Sequence, residues 1–100
     1  MKYKMDAKIY NLHGWIEETD PSTLHDKFLL ALVDSGFRVL NEVQHHFSPY
    51  GYTALFLLGE SHLAIHTFPE HCKSYVELSS CVKKQYENFK TWCEPLFIQE

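Results

Sequence analysis

Tyr52 to Leu58 reads Tyr-Thr-Ala-Leu-Phe-Leu-Leu, and this run constrains the fold more than any other part of the chain. It has strand length rather than helix length, and so continuous an apolar run predicts a central strand covered on both faces. It delivers Gly59, Glu60 and Ser61 to its end, where the chemistry changes abruptly. The stretch from Gly59 to Glu70 sets a serine hydroxyl, two imidazoles and two carboxylates in an otherwise strand-like frame. Regular alternation places Ser61, Leu63, Ile65 and Thr67 on one face and His62, Ala64, His66 and Phe68 on the other. A kink at Gly59 would change which of these groups converge.

The rest of the chain supplies partners for that strand. Ala7 to Leu12 reads as a first strand, ended by a turn at His13-Gly14-Trp15. Asp20-Pro21 starts a helix, because Asp20 can accept from exposed amides and Pro21 suits the first helical position. Leu24, Phe28, Ala31 and Leu32 recur at helical spacing, and Gly36 is the expected end. Phe37 to Phe47 reads as a second strand, with Phe37, Val39, Asn41 and Val43 alternating against Arg38, Leu40, Glu42 and Gln44; Ser48-Pro49-Tyr50-Gly51 turns the chain. Ser74 to Ser80 alternates as a further strand, and Cys81 sits where strand becomes helix. Val82, Tyr86, Phe89 and Cys93 share one face of a second helix. Pro95 stops it, leaving Leu96-Phe97-Ile98 as a short edge strand or docked tail. The expected fold is a two-layer α/β (α+β) sandwich, an antiparallel sheet with two helices on one face.

At 100 residues, with 45% hydrophobic and 15% aromatic content, the chain is expected to form a single domain spanning 1–100. A net charge of -4 argues against a nucleic-acid backbone as partner, since there is no basic excess to displace counterions, and favours a small-molecule substrate. No apolar run approaches the roughly 20 residues that span a bilayer, and the Met1-Lys2-Tyr3-Lys4 start lacks the apolar core of a signal peptide. A cytoplasmic, membrane-free protein is expected. Cys72, Cys81 and Cys93 form neither an even framework nor a Cys-x-x-Cys pair, and read as reduced thiols. His62 and His66, with His45, His46, His71 and Cys72 nearby, invite a zinc reading. Four-apart histidines are ligand-spaced on helices, however, and this segment reads as a strand, so no metal is expected.

Glu60-Ser61-His62-Leu63 followed by Ile65-His66-Thr67-Phe68-Pro69-Glu70 closely resembles the self-cleavage segment of the prokaryotic S-adenosylmethionine decarboxylase proenzymes. The likeness extends upstream, where the family's His-x-Phe-x-Pro-x-Gly reads His45-His46-Phe47-Ser48-Pro49-Tyr50-Gly51. It extends downstream to Cys81, at the family spacing of twenty positions after the cleavage Ser. Three positions depart from the pattern: the family's Thr-Cys-Gly is Ser80-Cys81-Val82 here, and its Trp before the Pro is Phe68. The region after the second helix is short, so the family's last strand is expected to be reduced or missing.

The resemblance implies that the Ser61 hydroxyl attacks the Glu60 carbonyl and that His66 removes the Ser61 α-proton from the resulting ester. Chain 1–60 is then released, and residue 61 loses ammonia to become a pyruvoyl group. That carbonyl condenses with a substrate amine and accepts the electrons left when carbon dioxide departs. By the same resemblance Cys81 reprotonates the substrate, Phe47 stacks on the adenine, Glu70 binds the ribose hydroxyls, and Thr53 stands where the family has a processing-assisting Ser. Two protomers are expected to pack sheet against sheet as a homodimer with shared active sites. The implied activity is pyruvoyl-dependent decarboxylation of S-adenosylmethionine for spermidine synthesis. The alternatives are decarboxylation of another amino acid, such as ornithine or arginine, and an unprocessed homologue that acts as a binding partner.

Overall fold

A computed structural model describes residues 8–99. Strands β1 (Tyr10–Ile16), β2 (Val39–His46), β3 (Tyr52–Leu58), β4 (Ser61–Phe68) and β5 (Lys73–Ser80) form one antiparallel sheet in the order β1-β5-β4-β3-β2. Helices α1 (Pro21–Asp34) and α2 (Lys83–Cys93) contribute buried side chains to the same core beneath the sheet. The expected two-layer α+β sandwich is therefore what the chain forms.

Helix α1 begins as local chemistry requires. The Asp20 carboxylate accepts from the Thr23 backbone N–H at 2.9 Å, Pro21 opens the helix, and Gly36 takes φ +100° just past its end. Its Leu24, Phe28, Ala31 and Leu32 meet Phe89 and Cys93 of α2 and the inward residues Leu12, Ile16, Ala54, Phe56, Leu58, Leu63, Ile65, Val76 and Leu78. β4 keeps the predicted alternation, with Ser61, Leu63, Ile65 and Thr67 inward and His62, Ala64, His66 and Phe68 on the open face.

Three expectations need correction. β1 runs through His13-Gly14-Trp15 instead of turning there, pairing with β5 from Tyr10↔Ser80 to Ile16↔Ser74; Ala7 lies outside the described residues. Gly14 is a packing glycine, since a Cβ there would stand 2.7 Å from the Phe97 ring. That ring is laid over the strand by the docked C-terminal segment, where the Ile98 N–H donates to the Trp15 carbonyl at 2.7 Å. In β2, an irregularity between Val39 and Asn41 breaks the alternation. Val39 packs against the core, while Asn41 and Val43 pair with Leu57 and Leu55 on the open face. Finally, β3 is covered on one face only: Leu55 and Leu57 are 45% and 53% exposed, beside Val43 at 59%. Among the described residues no helix is long and apolar enough to cross a membrane.

Candidate active site

The turn between β3 and β4 carries the bond singled out in the sequence. Leu58 pairs with Ser61, so Gly59 and Glu60 alone make the connection. Glu60, not Gly59, takes the left-handed conformation, at φ +57°. A side chain there costs on the order of 1 kcal/mol, because Cβ crowds the following carbonyl. The strain therefore sits at the residue whose carbonyl precedes Ser61.

The carbonyl and the hydroxyl on either side of that bond are both held from β5 and its exit. The Cys81 backbone N–H donates to the Glu60 carbonyl at 3.2 Å, drawing electron density from the carbon that a nucleophile would attack. The Ser61 hydroxyl donates to Ser80 Oγ at 2.7 Å, and the two serines are 7% and 1% exposed. Ser80 Oγ also accepts from the Val82 N–H at 3.0 Å. The Cys81 residue is exposed beside this buried pair.

A second cluster lies at the opposite end of β4. Thr53 Oγ1 and His66 Nδ1 form a hydrogen bond at 2.9 Å across the β3–β4 pair, which fixes the imidazole by one nitrogen. Phe47, Thr53, His66 and Glu70 line one cleft of about 320 Å³ together with Tyr50 and Phe68. Four residues from β3, β4 and the turns that flank them, each tied to substrate or processing by resemblance, thus share a concavity. Cross-strand pairing sets His66 between Thr53 and Tyr75, with Trp15 beyond Tyr75.

The two clusters do not meet within one chain. Ser61 and His66 are five residues apart on a regular strand, hence on opposite faces and about 17 Å apart along it. His62 shares the open face with His66 but lies about 13 Å from it by the same spacing, and lines an apolar hollow with Val43, Leu55 and Leu57. Among the described residues no group of three His, Cys, Asp or Glu side chains is gathered to hold a metal ion.

Sequence reasoning passed over Ser80, Tyr50 and Tyr75. Ser80 carried a usable signal: the family's Thr stands at that position, so a hydroxyl is common to both. Tyr75 carried none, because its place beside His66 depends on the β4–β5 register.

Comparisons with known proteins bear on the family and the fold. A protein from Oceanobacillus iheyensis named S-adenosylmethionine decarboxylase proenzyme is 39% identical over 61 residues, covering 61% of this chain and 48% of that protein. A proenzyme of the same name from Prochlorococcus marinus is 40% identical over 62 residues, or 62% of this chain and 50% of the relative. A proenzyme 2 from Bacillus cereus reaches 49% identity over 47 residues, covering 47% of this chain and 38% of the relative. The chain thus spans about half the length of the curated relatives it matches. The crystal structure of the adenosylmethionine decarboxylase from Aquifex aeolicus superposes with a TM-score of 0.65 at 22% identity, covering 92% of this chain and 82% of that one, which establishes a common fold. The family model for S-adenosylmethionine decarboxylase matches residues 9–96, both clusters included, and by that match the chain belongs to the S-adenosylmethionine decarboxylase family.

Proposed function

We propose that the protein is a pyruvoyl-dependent decarboxylase of S-adenosylmethionine that makes its own cofactor by cleavage between Glu60 and Ser61. The observation that carries this reading is the arrangement at the turn: a left-handed Glu60, its carbonyl bonded to the Cys81 N–H, and a buried Ser61 hydroxyl beside it. These are the needs of an internal acyl shift, in which an amide carbonyl must be made electrophilic and a neighbouring hydroxyl held still. The residues present therefore fit a pyruvoyl group at position 61, which when formed supplies a carbonyl able to take up electrons.

In this reading Cys81, adjacent to the cleavage site, returns a proton to the substrate carbon. Phe47 and Glu70 bind the adenine and ribose from the cleft, and His66, held by Thr53, is the base of processing. Since Ser61 and His66 of one chain lie at opposite ends of β4, His66 acts on a second copy. The open sheet face supports such a homodimer: Val43, Leu55 and Leu57 form an apolar surface, and fully burying side chains of this kind contributes about 1.5–3 kcal/mol each. A small-molecule substrate then sits between protomers, each site drawing on both.

Intact mass under denaturing conditions tests the reading first. Two fragments divided between residues 60 and 61 are expected, the C-terminal one lighter by one ammonia than a fragment that begins with serine. Release of carbon dioxide from S-adenosylmethionine, with ornithine and arginine assayed alongside, then identifies the substrate. A chain that stays whole after long incubation would overturn the reading in favour of a non-catalytic binding role.

A further inference from the structure

We propose that Ser80 is a positioning residue for chain cleavage, holding the Ser61 hydroxyl while the next residue, Cys81, holds the carbonyl it attacks. The inference rests on the self-processing reading above and adds a residue that the reading does not need.

Ser80 ends β5 directly opposite Ser61 and is 1% exposed. Its oxygen accepts from the Ser61 hydroxyl at 2.7 Å and from the Val82 N–H at 3.0 Å, and its own hydrogen is directed at the Val82 carbonyl at 3.5 Å. Both acceptor positions on this hydroxyl are thus in use, which fixes its oxygen despite a freely rotating C–O bond. Turning the Ser61 hydrogen toward Ser80 leaves the Ser61 oxygen lone pairs for the adjacent Glu60 carbonyl carbon. One residue on, the Cys81 N–H polarises that same carbonyl at 3.2 Å. Residues 80 and 81 therefore grip the nucleophile and the electrophile from one rigid stretch of backbone.

The step they serve is balanced within the chain. The Ser61 Oγ–Glu60 carbon bond forms, the bond from that carbon to the Ser61 nitrogen breaks, and the proton lost from Oγ ends on that nitrogen. Ser80 is a neutral alcohol and takes no proton in this scheme, so its contribution is orientation. A threonine at this position presents the same hydroxyl, whereas a valine matches threonine in shape and lacks it.

The test follows chain cleavage by intact mass over time for the wild type, S80A, S80T and S80V, with circular dichroism and melting to verify folding. S80T is expected to cleave at a rate near that of the wild type, and S80A and S80V about tenfold more slowly or worse, in line with loss of one buried orienting hydrogen bond. Equal rates for S80T and S80V, fast or slow, would overturn the inference, because volume and not the hydroxyl would then set the rate. A wild type that never cleaves would remove the self-processing reading and this inference with it. A wild type that cleaves with S80A at the same rate removes the inference alone.

Discussion

Ser61 and His66 stand on the same strand yet face opposite sides of the sheet, Ser61 toward the helices and His66 toward the open face. They also lie about 17 Å apart along the strand, so within one chain His66 cannot reach the ester that the proposed cleavage would form at Ser61. Under the proposed function, a site with both groups therefore needs a second chain.

Complementation between variants tests that consequence. H66A alone and S61A alone are expected to remain uncut. Coexpressed in equal amounts, they should yield cut H66A chains, about half of them by the statistical share of mixed dimers, because the S61A partner supplies the imidazole. Intact mass distinguishes the two chains, and a mixture in which H66A stays whole would assign His66 to its own chain.

Thr53 holds His66 by one ring nitrogen, so T53V frees the imidazole to rotate. Processing is expected to slow by roughly fivefold, the worth of about 1 kcal/mol for one hydrogen bond, while T53S stays close to the wild type. The readout is the cleavage time course. Equal rates for T53S and T53V would show that orienting the imidazole through this bond does not affect processing.

Much of this architecture is local, and to that extent it is legible in the sequence. The Asp20-Pro21 start, the Leu24, Phe28, Ala31, Leu32 stripe and the alternation along β4 depend on neighbours within a few residues, and the structure follows them. The errors fall where a distant segment decides. Gly14 reads as a turn residue until Phe97 arrives from the other end of the chain to occupy the space of its Cβ. Leu55 and Leu57 read as covered because sequence records apolarity, not whether the same chain supplies the cover. The gathering of Phe47, Thr53, His66 and Glu70 into one cleft depends on strand register, and only resemblance pointed to them.

The Gly14 contact gives a stability prediction. G14A drives a methyl into the Phe97 ring and is expected to destabilise the protein by about 1–3 kcal/mol, the usual cost of overpacking. F97A removes the obstruction, so the double variant should lose less than the sum of the single losses. Denaturant unfolding of the four proteins measures the coupling, and strict additivity would mean that the two sites do not meet.

Thiol labelling should separate the cysteines by burial. Cys93 is fully buried in the core, and desolvation, with the nearby Glu94 charge, pushes its thiol up to about 12. Cys72 and Cys81 are exposed. Iodoacetamide on the folded protein is expected to modify those two and spare Cys93 until denaturant is added, as peptide mass mapping will read. Early modification of Cys93 would mean that α2 opens readily.

His25 ties α1 to the sheet, with Nδ1 3.1 Å from the Asp26 carboxylate and Nε2 2.8 Å from that of Glu42 on β2; the Phe56 ring of β3 packs against it. The Asp26 bond first, then that to Glu42, raises its pKa above the ordinary 6.5, against a smaller opposing effect of burial. The folded state therefore binds the proton more tightly than the unfolded chain. This stabilisation is complete below the unfolded value and is lost as pH rises through the folded one. As pH rises above the ordinary value of 6.5, the wild type should lose melting temperature relative to H25Q, whose glutamine cannot titrate in this range. The difference between the two melting curves isolates His25 from the other titrating groups. Parallel curves across that range would show that its bonds to Asp26 and Glu42 do not favour the charged ring.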